Sequence, residues 1–127
     1  MPTSSCNRER KTRVDPISVI LINKALDGLA LRAIATAQNI ANANSPDYRP
    51  LRVTFEEALR NAATRGRDAI QSVSPHLQTA ARSTAQAELR LDLELATASE
   101  SAMRYAALID LLNRQIQIRR TVIKGGQ

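Results

Sequence analysis

The side chains able to do chemistry are few, and they stand apart. His76 is the only histidine and Cys6 the only cysteine in 127 residues. A lone imidazole without an Asp, Cys or Ser partner at a catalytic spacing points to a solvated or structural role. One thiol forms no intramolecular disulfide and no thiolate metal cluster. The densest polar run is Asn39-Ile40-Ala41-Asn42-Ala43-Asn44, followed by Ser45-Pro46-Asp47-Tyr48-Arg49. It offers amides, a phenol and a guanidinium but no nucleophile paired with a base, so its chemistry is hydrogen bonding, not catalysis. Asn favours turns and helix ends because its side chain bonds nearby backbone and tolerates positive φ. Pro46 biases Ser45 out of the α region and stops a preceding helix. The expectation is a shaped corner in a chain that is not an enzyme and uses no catalytic, cofactor or metal residues.

Charge and composition narrow the class. The formal net charge is +6 with a pI near 10.4, a balance that invites nucleic acid as a partner. Of the 18 basic residues only Lys11, Lys24 and Lys124 are lysine, so the rest are arginine. They are spread along the chain apart from the N-terminal tail and the last turns. Only 2% of residues are aromatic, too few to form stacking platforms for single strands, and no DNA-reading motif is evident. No nucleic-acid partner is expected. No apolar run approaches the roughly 18 residues that would span a bilayer, so no direct membrane insertion is expected either. The basic N-terminus lacks an apolar segment followed by a small-residue cleavage site, so it does not read as a cleaved signal peptide.

The elements that must position the corner read as helices. With one Phe, two Tyr and no Trp, a core must come from Leu, Ile, Val and Ala, which suits helix-on-helix packing. Residues 1–14 form a basic polar tail expected to be disordered, and residues 15–127 a single all-α domain. Asp15-Pro16 opens an N-terminal helix over 15–44 as N-cap and first helical residue. Its stripe Ile22, Leu26, Leu29, Ala33, Thr36, Ile40 has the heptad rhythm of a seam. Gly28 within it marks either a close approach of another helix or a tolerated glycine. Residues 45–63 make the corner and a short helix: Arg49–Phe55 is extended, Thr54 and Glu57 form a capping box, and Phe55 anchors the connection on the seam. Residues 64–88 are polar and read as a flexible loop, with no period-2 run long enough for a sheet.

Residues 89–126 form the C-terminal helix. Its first turns, Leu89–Leu95, alternate too briefly to separate strand from helix start. Its stripe is Tyr105, Ile109, Leu112, Ile116, Ile123, flanked by Leu108, Leu111, Ile118 and Val122. Arg119, Arg120 and Lys124 complement the helix dipole, and Gly125-Gly126 ends it. Both long helices are apolar over more than one face and so want neighbours on more than one side.

The string Asn39-Ile40-Ala41-Asn42, two residues, Ser45-Pro46-Asp47-Tyr48-Arg49 resembles the N-terminal signature of bacterial flagellar rod, hook and hook-filament axial proteins, roughly N-I-A-N, two residues, T-P-G-Y-K. Leu29, Arg32 and Ala35 upstream and Phe55-Glu56-Glu57-Ala58-Leu59 downstream extend the match. Ser45 and Asp47 stand where the family usually has Thr and Gly. At the other end Glu94, Ala98, Tyr105, Leu111-Leu112 and Ile123-Lys124-Gly125-Gly126 answer the closing pattern, whereas Leu95, Ala96 and Ser101 occupy its Met and Asn positions. The resemblance covers about 15–55 and 88–126, and the short length is most like the proximal rod subunit.

What the resemblance implies is a structural subunit of the flagellar basal-body rod. Its two terminal helices would pair as an antiparallel coiled coil, and it would assemble helically with copies of itself. Other rod subunits and the rod-base or export-gate component would be its partners. It would be exported without a cleaved signal peptide to the periplasm-spanning rod. Asn39, Ile40, Ala41, Asn42, Pro46, Tyr48, Phe55, Tyr105, Leu112 and Ile116 would carry the motif and the assembly contacts, with Tyr48 and Arg49 presented to the adjacent subunit. A second short rod subunit of the same family is the alternative. Outside the family, a small basic helical adaptor or secretion-chaperone-like dimer explains the helices but not the corner. A DNA-binding protein explains only the charge.

Overall fold

The first apolar stripe in chain order is that of α1, which spans Pro16–Ala41. The computed structural model describes residues 16–81 and 90–125; the tail at 1–14, the Asp15 cap and Gly126 lie outside them. Ile22, Leu26, Leu29 and Thr36 are buried as the heptad stripe requires, and Ile40 is half-buried. Ala33 is exposed instead. An extended segment packs along one flank of α1 and turns the buried side onto Ala35 and Asn39, which are 3% and 0% exposed.

The helix ends on its own asparagines. The Asn42 N–H donates to the Gln38 carbonyl at 3.0 Å and its side-chain amide to the same oxygen at 2.8 Å. Ser45 then bonds back to Asn42 through its backbone N–H (3.0 Å) and its hydroxyl (3.3 Å). A second turn closes from Tyr48 N–H to the Ser45 carbonyl at 3.4 Å. It has Pro46 at its second position and Asp47 at φ 65° at its third, the signature of a type II turn. Asp tolerates this left-handed conformation better than most residues, although glycine adopts it without strain.

The connection that follows is more structured than its composition suggests. Strand β1 (Leu51–Thr54) pairs antiparallel with β2 (His76–Thr79), Leu51 opposite Thr79 and Thr54 opposite His76. This two-stranded sheet corrects the all-helical expectation, and its second strand falls within residues 64–88, which read as loop; residues 82–88 lie outside the described residues. Strand β2 is exposed at all four positions, so backbone pairing holds it and no apolar alternation announces it. Between the strands lie α2 (Glu56–Ala63) and α3 (Arg67–Gln71). Thr54 ends β1 and forms no capping box; Phe55 is the N-cap residue, and no side chain caps it. The Phe55 N–H instead meets the neighbouring Glu56 carboxylate at 3.3 Å. Leu29 and Ala35 of α1, Val53, Phe55, Leu59, Ala62 and Ile70 form one buried cluster.

The last element, α4, runs Leu91–Gly125, 35 residues, roughly 50 Å at the helical rise. It packs against α1. Glu94 meets Asn39 near the end of α1, and Leu108 and Leu111 share a cleft with Leu21 and Ile22 near its start. The fold is thus mostly helical, two long helices packed together with a small sheet and two short helices on their flank.

Candidate functional site

The corner is built around one amide. Asn39 donates from Nδ2 to the Leu51 carbonyl (2.9 Å) and to Glu94 Oε2 (3.1 Å). Its Oδ1 accepts from the Leu51 N–H and from the Tyr48 hydroxyl, each at 2.8 Å. Two donors and two lone pairs are the whole capacity of the side chain, and all are used. An Asn buried this completely is tolerable only when so satisfied, because an unpaired buried polar group costs about 1–3 kcal/mol. No buried side-chain nitrogen or oxygen among the described residues lacks a partner.

Glu94 completes the knot. It is 2% exposed, and its second oxygen takes Arg52 Nη1 at 2.6 Å. Burying a carboxylate demands such pairing. The Tyr48 hydroxyl is raised above the usual phenol range, first by burial and then by the Glu94 charge, with Arg52 opposing. Outside the knot, Arg49 Nε donates to the Ala80 carbonyl at 2.6 Å, and the Ala80 N–H donates to the Pro50 carbonyl at 2.9 Å, tying the corner to the end of β2.

A second knot holds the connection about two turns back along α1, at Arg32. Arg32 donates to the Val53 carbonyl from Nε and Nη2 (3.3 and 2.8 Å) and pairs with Glu56 Oε1 at 2.6 Å. Its guanidinium lies 4.9 Å from the Phe55 ring centre, within cation–π range. The ring rests on Gly28, where an added Cβ would overlap it. The close approach at Gly28 is therefore made by an aromatic ring of the connection and not by another helix. Burial alone would raise the Glu56 carboxyl. Hydrogen bonds from Arg32 and from the Glu56 and Phe55 backbone outweigh it and bring the pKa down to about 2.

Of the residues singled out in the sequence, Asn39 and Tyr48 are brought together, while Asn42 and Pro46 shape the turns beside them. Ile40 is half-buried and Ala41 exposed. Phe55 is buried in the second knot. The Tyr48 hydroxyl is turned inward, and Arg49 is used on Ala80. Tyr105, Leu112 and Ile116 lie apart from the corner on α4, Leu112 half-buried and the other two exposed. Glu94, Arg52, Arg32 and Glu56 were not singled out as site residues. The available signal was an acid inside Leu91-Asp92-Leu93-Glu94-Leu95, where helical rotation buries Glu94 and exposes all three leucines.

These knots fasten segments together, and between them lies a partly polar cleft of about 420 Å³ lined by Arg32, Thr36, Arg52, Glu94, Thr97 and Glu100 among others. Among the described residues no three of His, Cys, Asp and Glu converge to hold a metal, and no helix is long and apolar enough to cross a membrane. No family model, curated protein or solved structure matches the chain.

Proposed function

We propose that the chain is a structural subunit of the bacterial flagellar basal-body rod, most like the proximal subunit FlgB, with a FlgC-like subunit as the alternative. The observation that carries the reading is the bond between Asn39 and Glu94. These residues belong to the two motif segments that resemble the axial family, 55 residues apart in sequence, and the buried knot joins them. The two long helices form an antiparallel coiled-coil pair, with the corner closing one end. Large apolar side chains left open on α4, among them Leu111, Ile118, Val122 and Ile123, supply surface for neighbouring subunits. A head-to-tail interface that does not close on itself then extends into a helical shaft. The subunit works by packing, without turnover or cofactor, among other rod subunits and the rod-base or export-gate component, in the part of the flagellum that crosses the periplasm. An in-frame deletion in the native organism tests this. Loss of swimming restored by the intact chain supports the reading, and unchanged swimming opposes it.

A further inference from the structure

Residues 116–125, the end of α4, are exposed at every position. Ile116 and Ile123 stand seven residues apart, so helical rotation sets them within about 20° of one another on one face. Arg119 falls about 40–60° to one side of that pair and Arg120 about 40–60° to the other. Lys124 follows on the side of Arg120. The arrangement is a short apolar ridge with cations along both flanks, on a convex helix end and not in a groove.

Among the described residues Arg104 pairs with Glu100 and Arg114 with Asp110, whereas Arg119, Arg120 and Lys124 enter no ion pair. No Asp or Glu follows Asp110 in the sequence. The helix dipole accounts for Lys124 in the last turn but not for the two arginines, because its effect fades within that turn. A second copy of the same end would set arginine against arginine. Nucleic acid would answer the arginines but leave Ile116 and Ile123, 39% and 64% exposed, in water. A surface with phosphate outside and hydrocarbon beneath answers both. We infer that residues 116–125 form a lipid-docking end that lies along an anionic bilayer, with Ile116 and Ile123 at the acyl boundary and Arg119, Arg120 and Lys124 on the headgroup phosphates. The contact is interfacial: no helix among the described residues is long and apolar enough to cross a membrane. It does not rest on the rod reading, because lipid binding and motility are read separately. Neighbours in a shaft would cover this end, so the lipid contact belongs to the free subunit.

The test sediments the full chain with vesicles of phosphatidylcholine alone and with vesicles containing about one-third phosphatidylserine. Binding is expected only to the anionic vesicles and weakens as salt is raised. Each cation at such a surface is worth about a fivefold factor, so Arg119→Gln with Arg120→Gln should weaken binding roughly 30-fold at low salt. Ile116→Ser with Ile123→Ser should weaken it by at least about tenfold while every cation remains. All four positions are exposed, and circular dichroism checks that each variant keeps wild-type helicity. No binding to either kind of vesicle, or binding that the arginine pair does not affect, overturns the proposal. Binding unchanged by the serine pair, or matched by polyglutamate or duplex DNA, also overturns it by showing that charge alone is read.

Discussion

Replacing Asn39 by Ala removes four hydrogen bonds from a side chain with no exposed surface. The losses are not equal. Glu94 keeps Arg52, whereas the inward-turned Tyr48 hydroxyl loses its acceptor at 2.8 Å. The Leu51 carbonyl keeps Arg52 Nη1 at 3.2 Å, but the Leu51 N–H loses the acceptor that held it to α1, and a buried group left unpaired costs about 1–3 kcal/mol. With the weakened hold on Glu94 added, the variant is expected to lose about 3–5 kcal/mol, a large share of the ~5–15 kcal/mol typical of a domain. Equilibrium urea unfolding followed by circular dichroism reads this as a lower midpoint with an unchanged slope. Asn39→Asp sharpens the test. It keeps the shape and the acceptors but loses both donors and sets a carboxylate 3.1 Å from Glu94, so it should cost more than Ala at neutral pH. A loss below about 1 kcal/mol for Asn39→Ala would refute the view that this amide fastens the corner.

Other perturbations probe other parts. The Glu56 carboxyl, held at about 2, is lowered in the folded state; its contribution is therefore complete above the ordinary carboxylate range and is lost as pH falls toward 2. It is 40% exposed, so after allowance for solvent screening the effect is about 1 kcal/mol. Glu56→Gln should flatten that part of an acid titration of stability. Gly28→Ala should destabilise by about 1–2 kcal/mol in thermal melts, because displacing the Phe55 ring outweighs the ~1 kcal/mol gain in helix propensity. Asp47→Gly should leave stability within about 1 kcal/mol of the parent and swimming intact, since relief at φ 65° offsets the added unfolded-state entropy. Loss of motility there would reveal a contact made by the Asp side chain. Leu112→Asp, which charges the half-buried face of α4, should abolish swimming, and normal motility would remove that face from assembly.

The sequence made α1, α2 and α4 legible because each carries enough apolar periodicity or turn punctuation to declare itself. The corner was legible too: Asn42, Pro46 and Asp47 do locally what their chemistry predicts. The β2 strand and α3 were not, since Arg67–Thr79 is mostly polar and its order comes from pairing with β1 and from Ile70 entering the core. Glu94 was hidden for a related reason. Nothing local distinguishes it from Asp92, and only the approach of Asn39 and Arg52 makes its position the buried one. Tyr105 and Ile116 show the converse, positions of a regular stripe that stand exposed.

The most direct test of the rod assignment is an immunoblot for this chain in purified flagellar basal bodies of the native organism. The chain is expected to co-purify with the rod fraction and to withstand the detergent wash that strips membrane proteins. Its absence from basal bodies that are otherwise complete would contradict the assignment.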